Sequence, residues 1–173
     1  MARLVKAGKY GQVELNQVAF RRDGRVEAQA ALNTTDFATA KCENGMLLAV
    51  DKSKNNGWGE VCFATDSSLP IALVYSAEHM YDERHNGSLG DFYLGVDGGE
   101  FLPRLGYLSV GDIFTTDCVS SDATSADLGT LFGASSAGYI DAYDASIGGP
   151  KLSLVKKYTM PDGTFGAKFQ VIA

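Results

Sequence analysis

Residues 151–173 constrain the fold of this chain more than any other stretch. KLSLVKKYT (151–159) and TFGAKFQVIA (164–173) flank Met160-Pro161-Asp162-Gly163. Pro fixes φ at the first corner of a turn, Asp bonds to its own backbone, and Gly accepts a positive φ, so the order Pro-Asp-Gly builds a chain reversal. Phe165, Ala167, Phe169 and Val171 alternate with Gly166, Lys168 and Gln170. That period of two belongs to a strand with one buried face. The segment reads as a β-hairpin.

The rest of the chain repeats this style. Asp23-Gly24, between VELNQVAF (13–20) and RVEAQAAL (25–32), predicts a second hairpin over Tyr10 to Leu32. Val26, Ala28 and Ala30 are its expected buried positions. Met46 to Asp51 is an apolar run suited to a buried strand, launched by a turn at Glu43-Asn44-Gly45. Lys52 to Gly59 is a polar loop, and short strands follow at Glu60 to Thr65 and Ile71 to Ser76. Tyr107 to Thr116 reads as a strand broken at Gly111-Asp112. Twenty glycines against four prolines fit many tight turns between short strands. The expected fold class is mainly β: a short-stranded antiparallel barrel or sandwich, with an extended N-terminal arm and a long small-residue loop region. Residues 1–12 are the arm and 13–173 a single β-rich domain. Within it, 120–150 is a loop-rich excursion dominated by Ser, Ala, Gly, Asp and Thr, with a short helical turn over Leu128 to Phe132. At 173 residues the chain buries roughly 70% of its unfolded surface, so folding requires no metal or disulfide.

Charge narrows the partners. The net charge is −6 and the acid is dispersed, the opposite of what phosphate binding requires. No nucleic acid is expected as a partner. No apolar run approaches the roughly 20 residues that cross a bilayer, so no membrane partner is expected either. Met1 to Tyr10 lacks the pattern of a secretory signal, which points to a chain kept or assembled in a cytosol. Cys42, Cys62 and Cys118 are isolated and odd in number. They read as reduced thiols packed as small hydrophobes.

Candidates for chemistry are few. His79 and His85 are the two histidines, with Glu78, Asp82 and Glu83 around them. On a helix, Glu78 and Asp82 share a face, as do Asp82 and His85. Zinc sites bring a clearer pair-plus-pair pattern, so a solvated charged segment is the expectation. A Cys118–His dyad has no sequence signature. Gly95 to Gly99 lacks both the Lys of a phosphate loop and the alternating acids of a calcium loop, leaving a turn. The expectation is no catalytic residue, no metal and no cofactor.

Two features suit contact instead. Trp58, in Asn55-Asn56-Gly57-Trp58-Gly59, either covers core or anchors a partner. Arg3, Lys6 and Lys9, with Leu4, Val5 and Tyr10, make a basic start without a single acid. It is either a frayed terminus or first edge strand, or an arm that orders on a partner.

Four segments add a resemblance: ENGMLLAVD (43–51), LPIALVYS (69–76), VGDIFTT (110–116) and MPDG (160–163). Together they cover about a sixth of the chain. They look like segments of small virion structural proteins of tailed bacteriophages, and most resemble head decoration (cement) proteins encoded beside the major capsid protein. The resemblance implies a compact β fold whose N-terminal arm binds capsid shell and neighbouring subunits. It carries no catalytic motif. It makes Arg3, Leu4, Val5, Lys6, Lys9, Tyr10 and Trp58 the candidate capsid or partner contacts. The implied partners are the major capsid protein shell and other copies of the chain, as a homo-oligomer on the particle. The implied location is the capsid surface of a virion assembled in the host cytoplasm. Residues 120–150 depart from the most compact members. Other readings are a tail or head-fibre component, a carbohydrate-binding module, or a small metal-dependent hydrolase using His79, Asp82, His85 or Cys118.

Overall fold

A computed structural model describes residues 11–65, 68–76, 102–160 and 163–173. The strands along the chain are β1 (Val13–Gln17), β2 (Val26–Glu27), β3 (Ala31–Leu32), β4 (Leu47–Asp51), β5 (Glu60–Cys62) and β6 (Ile71–Val74). After them come β7 (Leu105–Gly106), β8 (Ile113–Thr116), β9 (Leu131–Ala134), β10 (Ile140–Ala142), β11 (Leu152–Thr159) and β12 (Phe165–Val171). Among the described residues, two short α-helical turns, α1 (Phe20–Asp23) and α2 (Asp122–Ser125), and a 3-10 turn at Asn55–Gly57 interrupt them.

The strands form two six-stranded sheets. The first has the order β1-β8-β12-β11-β9-β10 and is antiparallel throughout. The second has the order β2-β7-β6-β4-β5-β3 and is antiparallel except where β3 runs parallel to β5. The sheets do not close on each other, so the barrel expected as one of two outcomes does not form. Closure requires the end strands of a sheet to pair, and β1, β10, β2 and β3 each end a sheet order instead.

Period-two alternation explains how the sheets meet. On the first sheet, Phe114, Phe132, Leu152, Leu154, Phe169 and Val171 are buried on one face. Leu47, Ala49, Ile71 and Leu73 of the second sheet join the same cluster. The alternate residues Leu48, Val50, Ala72 and Val74 fall in a second cluster with Ala30, Phe37, Cys42, Met46 and Cys118. The second sheet is therefore buried on both faces. This is why Met46 to Val50 is a continuous apolar run rather than an alternating one. Residues 30–46 form the cover over its far side. Asn33 Oδ1 accepts the amide N–H groups of Thr35 (2.9 Å) and Asp36 (2.8 Å), and Asp36 Oδ2 accepts the Phe63 N–H (2.8 Å). The cover is thus tied to the chain leaving β5.

The closing hairpin forms as its sequence requires, with register from Leu152↔Val171 to Thr159↔Phe165 and a shift between Leu154 and Lys156. Gly163 takes φ 86°, and its N–H donates to the Met160 carbonyl at 2.8 Å. The strands at 47–51, 60–62 and 71–74 lie within the expected segments. Of Tyr107 to Thr116 only Ile113–Thr116 is strand, after a Ser109–Asp112 turn.

Two expectations are corrected. The hairpin over Tyr10 to Leu32 does not form: β1 pairs with β8 and β2 with β7, in different sheets. Phe20 supplies the reason. It is fully buried, packs at a tilt against Tyr75 with ring centroids 5.0 Å apart, and lies so close to Gly106 that any Cβ there would collide with its ring. Burying that ring outweighs a local turn worth far less. Phe20–Asp23 winds into one helical turn, and Gly24 (φ 71°) ends it with its N–H on the Phe20 carbonyl. The alternation over Val26, Ala28 and Ala30 fails as well, since Glu27 is buried and Ala28 exposed.

The second correction concerns 120–150. This stretch contains α2, β9 and β10, and sends Ala123, Phe132, Ala134 and Ile140 into the core. The expected helical turn at Leu128 to Phe132 is the approach to strand β9. Its small residues serve close packing: Gly133 lies under the Tyr143 ring, and Gly138 lies against Leu48 and Phe63. Of the expected arm, residues 1–10 are outside the described residues. Gln12 is fixed, donating its N–H to Asp117 Oδ1 at 2.8 Å and accepting Thr116 Oγ1 at 2.6 Å.

Candidate interaction surface

The most constructed exposed feature is the loop from Lys52 to Gly59. Asn55 and Asn56 both take left-handed φ, 50° and 54°. Side chains other than Gly rarely adopt this conformation, and Asn tolerates it best. Gly57 (φ 90°) and Gly59 (φ 95°) complete a path that few sequences can follow. Hydrogen bonds lock it. The N–H groups of Gly57 and Gly59 both donate to the Lys54 carbonyl (3.0 and 3.2 Å), and Asn55 Nδ2 donates to the Gly59 carbonyl (3.0 Å). At the loop's entrance Asp51 Oδ1 accepts the N–H and hydroxyl of Ser53.

Lys52 ties the loop to the core. Its ammonium donates to the Trp58 carbonyl at 3.0 Å and pairs with the Glu27 carboxylate. Gly59 lies against the Lys52 stem and the Ala30 methyl, so a side chain at that position would collide with the lysine. Trp58 is left 59% exposed. The indole is thus more exposed than covered.

Glu27 makes the clamp. Burial would raise its carboxyl, but the Lys52 ammonium and the N–H groups of Gln29 (2.8 Å) and Ala30 (3.0 Å) outweigh that and hold its pKa below the ordinary value. A depressed carboxylate pKa contributes stability that is full above the unfolded value and is lost as pH falls through the folded one. Glu27→Gln keeps the shape and an acceptor but removes the charge. It is expected to cost about 1–2 kcal/mol at neutral pH, the weight of a charged hydrogen bond discounted for the half-exposed lysine. Thermal melts should show the gap between variant and parent narrowing in acid. A gap unchanged in acid would exclude the clamp.

The other expected residues divide cleanly. Arg3, Leu4, Val5, Lys6, Lys9 and Tyr10 lie outside the described residues, as do Glu78, His79, Asp82, Glu83, His85 and the turn expected at Gly95 to Gly99. Cys42, Cys62 and Cys118 are free thiols. Burial pushes the Cys42 thiol far up, with Cys118 and Glu43 adding to it. Burial, then the Asp36 and Glu60 charges, pushes Cys62 up to about 11. Such thiols stay protonated and are poor nucleophiles. Cys118 is fully buried.

A cleft of about 480 Å³ is lined by Ser135, Asp141, Tyr143 and Asp144, among others. Its carboxylates are engaged locally. Asp144 Oδ1 accepts the hydroxyl and N–H of Ser146 (2.7 and 2.8 Å), which lower its pKa, and Asp141 Oδ1 accepts the Ala142 N–H. Among the described residues no three His, Cys, Asp or Glu side chains gather as a metal site. The Glu27–Lys52 clamp had no sequence signal, because Glu27 occupies a position whose neighbours suggest an outward residue.

No protein-family model, curated protein or solved structure matches this chain. Its function is therefore argued from its own surface.

Proposed function

We propose that this chain is a virion structural protein that binds and stabilises an assembled phage capsid, as a decoration protein does. The observation that carries the reading is Trp58, an exposed indole on a loop that the Lys52–Glu27 pair holds in one conformation. A pre-ordered anchor loses little entropy on docking. Many copies on one shell then convert a modest contact into firm attachment. The two-sheet core supplies a rigid support, and Gln12 gives the basic N-terminal segment a fixed root beside Asp117. The resemblance of residues 43–51, 69–76, 110–116 and 160–163 to cement proteins points to the same role.

The test is to mix purified protein with undecorated heads of the phage that encodes it and image the particles. Ordered extra density on the shell is expected. Bare shells at saturating protein would end the proposal.

A further inference from the structure

Three asparagines of the chain precede glycine: Asn44, Asn56 and Asn86. Such a pair is prone to deamidation, because glycine leaves the backbone nitrogen after the asparagine unshielded and free to turn. Asn86 lies outside the described residues. The fold places the other two in opposite settings.

Asn44-Gly45 is fixed in the core. The Gly45 N–H donates to the Val74 carbonyl at 2.9 Å, a side chain at Gly45 would collide with Thr116, and Asn44 Oδ1 is buried. Asn56-Gly57 is exposed, and no atom lies within 4 Å of where Gly57 would carry a side chain. Its backbone is nevertheless set against reaction. Asn56 has φ 54° and ψ 34°. At that ψ the Asn56 Cβ points away from the Gly57 nitrogen across the Cα–C bond, whereas closing a succinimide ring needs the two on the same side. The Gly57 N–H is also committed to the Lys54 carbonyl at 3.0 Å. Turning the bond pulls that N–H off its acceptor, so the loop must open first. The Lys52 ammonium, on the Trp58 carbonyl and the Glu27 carboxylate, holds it shut.

We propose that Asn56 is a deamidation site gated by the Lys52–Glu27 pair. In the opened loop the Gly57 nitrogen attacks Asn56 Cγ, and its proton passes through water to the departing Nδ2. The Cγ–Nδ2 bond breaks, ammonia leaves and a succinimide remains. Water then adds to either ring carbonyl, leaving aspartate or isoaspartate at position 56. One water enters and one ammonia departs, with no change of oxidation state. Isoaspartate lengthens the backbone by a methylene, which displaces the Gly57 and Gly59 N–H groups from the Lys54 carbonyl they share. Loss of ammonia makes this release of the Trp58 loop one-way.

The inference does not rest on the capsid reading and is tested on the full chain alone. Protein is held in mildly alkaline buffer, folded and in urea, and its peptides are followed for the mass gain that marks an amide turned to acid. In urea Asn56 and Asn44 should react at similar rates. In the folded parent Asn56 should react at least about tenfold more slowly than in urea, and Asn44 should stay intact, since it waits on global unfolding rather than on local opening. Glu27→Gln should speed Asn56 by about tenfold, as expected for losing a charged hydrogen bond, with Asn44 still intact. Should that variant melt early, Lys52→Met keeps the stem without the ammonium. Phe169→Leu, which weakens the core away from the loop, should leave Asn56 at the parent rate. The inference is overturned if Asn56 is inert in urea, or as fast folded as unfolded. It is equally overturned if neither clamp variant moves Asn56, if Asn44 moves with it, or if Phe169→Leu speeds it alike.

Discussion

Phe169→Ala is expected to lower stability by about 3–5 kcal/mol, the range for truncating a buried phenylalanine. Phe169 is fully buried at the meeting point of the first sheet's aromatic residues. Its ring lies 6.0 Å from Phe114 and 5.5 Å from Phe132, and its strand neighbours are Leu154 on β11 and Phe114 on β8. Truncation removes the contacts of three strands at once, and a sheet on each side prevents the gap from collapsing. For a chain of this size the melting temperature should fall by about 6–20 °C. Phe169→Leu fills most of the volume and should cost less than about 1.5 kcal/mol. Chemical and thermal unfolding of both variants check the ordering. Equal costs for Ala and Leu would mean that the ring is not packed between the sheets.

Trp58→Ala is expected to do the reverse. The indole is exposed and its removal leaves no cavity, so stability should stay within about 0.5 kcal/mol of the parent. Attachment to heads should weaken by about 30-fold or more, the effect of losing an anchor worth about 2 kcal/mol. With many copies on each shell the loss in occupancy should be steeper than for one isolated contact. Copies bound per head, counted across a protein titration, measure it. A variant that binds as the parent does would remove Trp58 from the interface.

What the sequence reveals follows the range of the interaction. The closing hairpin is legible because Pro161-Asp162-Gly163 and the alternation from Phe165 to Val171 act within a few residues. Met46 to Val50 is legible as buried because both its faces are apolar. Pairing of β1 with β8 joins residues about a hundred positions apart, Val13 with Thr116. No local pattern announces it, and the tight turn signal at Asp23-Gly24 points to the wrong neighbour. Phe20 overrides that signal through a ring-on-glycine contact with Gly106, which no spacing rule encodes. Residues 120–150 conceal β9 and β10 because Gly133 and Ala134 pack by smallness rather than by apolar bulk.

The site was half legible. Trp58 in a loop of Asn and Gly stands out in the sequence as a choice between core and contact. Its backbone is held by Lys52, which donates to the Trp58 carbonyl and pairs with a buried Glu27 twenty-five positions earlier. Those are tertiary facts.

Imaging of undecorated heads mixed with the parent protein and with Trp58→Ala is the most direct measurement. Ordered density at symmetry-related positions, with the 52–59 loop against the shell and occupancy lost in the variant, is the expected result. Bare shells with both proteins, or density in which that loop faces solvent, would contradict it.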